Sequence, residues 1–199
     1  MTLYCRERCA YSHRARLVLA EKDISVDVDI VYSEQPPEEI SELNPDGALP
    51  VLLDRDVVLY RSFIIMEYLD ERFPHPPLMP IDPVGRAQAR LLLDRIDVDW
   101  YRAVAALDGR PAKRAADQLR KTLVDRITAL VPLFHSEFLV GESFSLVDCT
   151  ALPVLWRLPE YGVTLPKAAR PVLDYAKRMF VRPGFRASLS ETESEMRRG

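Results

Sequence analysis

The segment Phe73-Pro74-His75-Pro76-Pro77-Leu78-Met79-Pro80 constrains the fold of this chain more than any other stretch. Proline has no backbone donor and disfavours helix in the residue before it. The helical pattern that begins at Ser62, with Ile65, Leu69 and Phe73 spaced along one side, must therefore stop near Phe73. Four prolines in the seven positions from Pro74 predict an extended, stiff, polyproline-like run. Asp82-Pro83 then supplies an N-cap and a first helical residue, so a new helix starts there. Two readings of the segment stay open on the residues alone. It is a rigid linker, or a linker that also presents a recognition surface of proline rings and one imidazole.

The two sides of that segment differ in kind. Before it, Thr2-Leu3-Tyr4-Cys5 reads as a strand, and 13–22 as a helix burying Ala15, Val18 and Leu19. Residues 26–30 alternate with period two, like a half-buried strand. Residues 37–43 form a short helix closed by the turn signal Asn44-Pro45-Asp46-Gly47. Val51-Leu52-Leu53 and Val57-Val58-Leu59-Tyr60 flank Asp54-Arg55-Asp56, the pattern of a tight hairpin. A small mixed α/β sheet with packed helices follows from that order. After the segment nothing reads as strand. Helical spacing covers 82–107, 115–133, 146–158 and 169–181, with a break at Gly109-Arg110-Pro111. Ser145 and Asp148 have capping-box spacing behind Phe144, and Pro153 predicts a kink in that helix. The charged stretch 190–199 is assigned no element. The implied domains are 1–75, a proline-rich linker over 76–82, and an all-α domain over 83–199.

Composition narrows the function classes. With 199 residues, 48% hydrophobic and 29% charged, the chain can build one or two domains with real cores. No apolar run approaches a membrane span, and the N-terminus lacks a secretory pattern. Three cysteines, Cys5, Cys9 and Cys149, without framework spacing argue for a reducing compartment, so a cytoplasmic location is expected. No His or Cys cluster has metal-ligand spacing. Residues 1–78 hold 8 Lys and Arg against 15 Asp and Glu, a charge of −7, while 79–199 hold 19 against 15, a charge of +4. The acidic first part disfavours direct nucleic-acid binding, and the single arginines along the later helices resemble solvated faces. The asymmetry suits a protein partner with patches of both signs.

One constellation has the makings of chemistry. Cys9-Ala10-Tyr11-Ser12 opens the first helix, where unpaired amides stabilise a thiolate, and Arg6, Arg8, His13 and Arg14 lie nearby. Ser12 leaves no resolving cysteine in the motif, so only a mixed disulfide with an external thiol is available there. The competing reading of Cys9 is an unreactive thiol. His13 reads as a helix-surface residue, His135 has no partner in view, and Trp156 reads as core.

The element order, the proline before the third strand and the helical half opened by Asp82-Pro83 together resemble the glutathione S-transferase superfamily over essentially the whole chain. Leu49-Pro50-Val51 resembles its cis-proline segment, and Ser145-Leu146-Val147-Asp148 its capping box. Within the superfamily, residues 66–80 are similar to the much narrower signature of the stringent starvation protein family. Val18-Leu19-Ala20-Glu21-Lys22, Phe144 to Cys149, Leu155-Trp156-Arg157-Leu158-Pro159 and Glu195-Met196-Arg197 match that family too. The resemblance implies a thioredoxin-like N-terminal domain, an all-α C-terminal domain and a homodimer, with pairing to a related subunit as a variant. It implies a transcriptional regulator of stationary phase, starvation and acid stress that binds RNA polymerase holoenzyme rather than DNA. It places a surface pocket at Pro74, His75 and Pro76, with Tyr68, Asp70, Glu71 and Arg72 lining the approach.

The same resemblance implies a vestigial glutathione cleft at Cys9, Tyr11, Ser12, Leu49, Pro50, Arg61 and Ser62, with Leu49-Pro50 cis. Transferases hold the γ-glutamyl group with an acidic residue and a serine at the start of the helix after strand four. Here that pair is Arg61-Ser62, a cation where the ligand's ammonium would lie, so weak or absent glutathione binding is expected. Trp100 and Tyr101 fall on the helix that lines the dimer cleft in that superfamily, and read as core or interface. The alternative activity is a glutathione-dependent transferase or thiol reductase that uses Cys9.

Overall fold

Strand β1 (Thr2–Cys5) buries Leu3 and Cys5 and leaves Thr2 and Tyr4 half-buried, the alternation a pleated strand imposes. The structure, a computed structural model, describes residues 1–24, 27–41 and 43–197. Helix α1 (Ala10–Glu21) crosses over to β2 (Asp29–Tyr32), which pairs parallel to β1. After the short helix α2 (Glu38–Ser41) come β3 (Val51–Asp54), antiparallel to β1, and β4 (Val57–Tyr60), its hairpin partner. The sheet order is β2-β1-β3-β4. Helix α3 (Ser62–Arg72) follows β4 and packs on α1.

Strand β2 lies further along the chain than the alternation of 26–30 suggests. Pairing with the four residues of β1 fixes it, from Thr2 opposite Asp29 to Cys5 opposite Tyr32. On an exposed edge, backbone pairing rather than side-chain burial sets the register. Val26, where the expected strand began, lies outside the described residues. The Leu49–Pro50 bond is cis, as the resemblance implied.

The second compact unit spans Leu78–Arg182. Helix α4 (Pro83–Ile96) starts as the sequence predicts, with Asp82 accepting from the Gly85 amide at 2.8 Å. A side chain at position 85 would collide with the Asp82 carboxylate and Pro80, both under 3 Å from a Cβ placed there, so this cap needs glycine. A π-helical turn (Asp97–Tyr101) leads into α5 (Arg102–Asp108). Trp100 and Tyr101 are buried in the unit's own core, Tyr101 donating to the Thr150 carbonyl at 2.9 Å. Helix α6 (Lys113–Thr128), a 3-10 turn (Val131–His135), α7 (Leu146–Arg157) and α8 (Arg170–Phe180) complete the unit. Trp156 is only half-buried, against Phe180 at 4.9 Å. The Leu146 amide donates to the Leu78 carbonyl at 2.8 Å, so buried Leu78, the first residue of this unit, is held at the capped start of α7.

The chain then returns to its beginning. Helices α9 (Pro183–Ser188) and α10 (Glu191–Glu195) belong with Met1–Pro77, not with the helical unit in which 183–199 was expected. Residues 190–195, assigned no element from the sequence, form a capped helical turn. Ser190 Oγ accepts from the Glu193 amide and the Glu193 carboxylate accepts from the Ser190 amide at 3.0 Å. Because α9 packs on α1, that helix is buried nearly all round from Ser12 to Leu19, not along one face. His13 is accordingly a fully buried residue and not the surface residue predicted. Ser188 donates its proton to the Phe185 carbonyl and so accepts from His13 Nε2 at 2.9 Å.

Candidate functional site

The proline segment is not an extended run. Its His75–Pro76 bond is cis and the chain bends at both residues, whereas a polyproline helix needs every bond trans. Pro74, His75, Pro76 and Pro77 are all exposed, while Leu78 and Met79 are buried in the other unit. Inside the turn lies Lys22, the C-cap of α1, with a wholly buried side chain. Its ammonium pairs with Asp70 Oδ1 at 2.8 Å and donates to the Phe73 carbonyl at 2.6 Å and the Pro76 carbonyl at 2.7 Å.

The residues expected to line the approach to the turn divide. Glu71 and Arg72 are exposed. Asp70 is not on the surface: it is buried, facing Lys22, because an isolated buried ammonium requires a counter-charge. Tyr68 is half-buried and donates to Asp54 Oδ2 at 2.5 Å, a bond that raises its phenol above the usual value. Arg72 reaches the same carboxylate oxygen at 3.9 Å, so Tyr68 and Arg72 both engage the β3–β4 hairpin.

At the starts of α1 and α3 the structure joins some of the predicted cleft residues. Cys9 is the N-cap of α1 and partly exposed, and Tyr11 lies beneath the Arg14 guanidinium at 5.1 Å. Ser12 is buried and accepts from the Arg6 amide at 3.1 Å. Leu49 and Pro50 are buried before β3. Ser62 is buried too, its hydroxyl accepting from Arg14 Nε at 2.8 Å. The inner cation next to Ser62 is therefore Arg14, a role no local signal announced. Arg61, with φ of +65°, turns outward, is 68% exposed and pairs with Asp46 at 3.1 Å. Its charge is screened by solvent and by that partner, so it opposes a ligand ammonium only modestly.

Cys5 cannot serve as the missing resolving thiol. Burial pushes its pKa up to about 11, against the lowering effect of Arg16 and the hydrogen bonds of Arg16 and Ser12. It remains a protonated, inaccessible thiol at neutral pH. Among the described residues no group of three or more His, Cys, Asp or Glu is arranged to hold a metal ion. No described helix is long and apolar enough to cross a membrane.

The four-stranded mixed sheet, the cis proline before β3, and the capped helix α7 in an all-α unit define the class, that of the glutathione S-transferase fold. Residues 8–72 match the N-terminal domain of glutathione S-transferases and residues 95–183 the C-terminal domain. Gtt2 from Saccharomyces cerevisiae superposes with a TM-score of 0.83 at 20% identity, over 95% of this chain and 100% of that one. Human glutathione S-transferase omega-2 is 31% identical over 81% of this chain and 68% of its own length. A stringent starvation protein A homolog from Coxiella burnetii is 46% identical over 99% of this chain and 95% of its own. The chain belongs to the stringent starvation protein A family.

Proposed function

We propose that this protein is a regulator that binds RNA polymerase through the Pro74–His75–Pro76 turn, works as a dimer in the cytoplasm, and acts in stationary phase, starvation or acid stress. The observation that carries this reading is a turn at once exposed and held from within. Stiff proline rings lose little entropy on binding, and the imidazole adds one donor and one acceptor in its neutral form. Full-length similarity to the family supports the same reading. The test is capture of polymerase holoenzyme by the wild type and by His75→Ala. The wild type retains holoenzyme and the variant loses most of it. Equal capture by both removes the turn from this account, and no capture by either removes the function.

The second reading, a glutathione-dependent transferase or thiol reductase, is favoured by the partly exposed position of Cys9 at the start of α1. Against it stands a Ser62 hydroxyl already bonded to Arg14, to which the exposed Arg61, in place of an acidic residue, adds a modest opposition. Calorimetric titration with glutathione is expected to show no micromolar binding. Turnover of a chlorodinitrobenzene-type substrate that disappears in Cys9→Ser would establish the enzyme instead.

A further inference from the structure

The turn from Phe73 to Pro77 has few donors with which to hold its own shape. Pro74, Pro76 and Pro77 have no N–H, and the Phe73 amide is already given to the Leu69 carbonyl at 3.1 Å, which leaves the His75 amide as the turn's one other backbone donor. What the turn does offer is acceptors. The Phe73 carbonyl lies just past the end of α3, where carbonyls lack an intrahelical partner, and the Pro76 carbonyl follows the cis bond. For these two carbonyls the donor comes from elsewhere in the fold.

Lys22 supplies it. An ammonium carries three N–H bonds, and three acceptors lie within 2.8 Å: Asp70 Oδ1, the Phe73 carbonyl and the Pro76 carbonyl. The backbone of Lys22 is itself anchored, its amide donating to the Val18 carbonyl at the close of α1. We propose that Lys22 is the positioning residue of the exposed turn: it clamps both ends of the Pro74–His75–Pro76 segment onto α1 and so fixes where His75 points. Asp70 neutralises the buried charge. This inference rests on the turn being the contact surface for the polymerase.

The role predicts a loss of pre-organisation, not of folding. A turn that occupies its binding shape a tenth of the time binds about tenfold more weakly. Lys22→Met alone would strand the Asp70 carboxylate in the interior, so the informative variant is Lys22→Met/Asp70→Leu. It removes both charges together, an exchange that leaves stability nearly unchanged in many proteins. Two readouts are taken on the full chain. The first is the imidazole Cε1–H resonance of His75 in a carbon–proton NMR spectrum, assigned by its disappearance in His75→Ala. The second is polymerase capture by the wild type, by His75→Ala and by the double variant.

The expected result has three parts. In the double variant the His75 resonance moves toward that of an imidazole in the unfolded chain while the urea midpoint stays in place. Capture falls at least about tenfold in that variant. An unchanged resonance overturns the clamp, whatever the polymerase does. A shifted resonance with undiminished capture overturns its importance for docking. If His75→Ala abolishes capture and the double variant does not, the docking surface stands and Lys22 is dismissed. If His75→Ala has no effect, the docking reading fails and the resonance alone decides the clamp.

Discussion

Replacing Asp148 with alanine lowers the unfolding free energy by about 2–6 kcal/mol, read as a drop in urea midpoint. Asp148 is fully buried at the third position of α7, and both its oxygens accept twice. Oδ1 takes the Leu139 amide at 3.0 Å and the Tyr175 hydroxyl at 2.5 Å. Oδ2 takes the Ser145 amide at 2.9 Å and the Ser145 hydroxyl at 2.7 Å. The two hydroxyls can rotate to other acceptors, but the two amides cannot. Each orphaned buried amide costs about 1–3 kcal/mol, and one of the two, that of Ser145, is the lost cap itself. A loss below about 1 kcal/mol would mean that water or a shifted backbone satisfies both amides, which the burial of this site opposes.

The same carboxylate sets a pH dependence with a definite sign. Burial raises its pKa above the ordinary 3.8, even though four hydrogen bonds pull the other way. The native state therefore takes up this proton before the unfolded chain does as pH falls. Its contribution to stability is complete below 3.8 and is lost as pH rises through the folded value. The wild type should gain stability relative to Asp148→Asn on going from neutral pH toward 3.8. A wild-type urea midpoint that falls relative to that of Asp148→Asn over that interval would contradict the direction of the shift.

The elements legible in the sequence are those whose signals are local. The Asp82 cap, the box at Ser145 and Asp148, the hairpin around Asp54-Arg55-Asp56 and the end of α3 at Arg72 all follow from a few adjacent residues. What failed depends on partners far along the chain. His13 reads as exposed until Ser188, 175 residues later, is brought beside it. Asp70 reads as a surface carboxylate until Lys22 is placed inside the turn. One miss was avoidable. Ser190-Glu191-Thr192-Glu193 has the same capping-box spacing as residues 145–148, with glutamate in place of aspartate, and it announces the start of α10. At the candidate site the exposed turn was legible from its prolines. The clamp beneath it was invisible, because a lysine ending an amphipathic helix is usually solvated.

Glu193→Ala is the second large effect, and it tests whether the returning C-terminal segment is a structural part of the first unit. Glu193 is fully buried and forms a close ion pair with Arg16, itself buried in α1. Without Glu193, Arg16 keeps the Ser188 carbonyl at 3.0 Å, the Arg6 carbonyl at 3.5 Å and the face of Tyr32 at 5.5 Å, but no counter-charge. Truncating one member of a buried pair costs about 3–5 kcal/mol, because the remaining ion stays desolvated. The loss is expected to concentrate in α9 and α10, whose hold on α1 runs through Glu193, Ser188 and the ring contact of Phe185 with His13 at 5.3 Å. Thiol labelling separates that outcome from general loosening. Cys5, a close electrostatic neighbour of Arg16, becomes reactive in the variant, while Cys149, buried in the other unit, stays protected. Arg16→Leu/Glu193→Leu should recover most of the lost stability, since it removes the uncompensated charge along with its partner. Equal labelling of Cys5 and Cys149, or a midpoint unchanged by Glu193→Ala, would show that the first unit stands without its C-terminal cover.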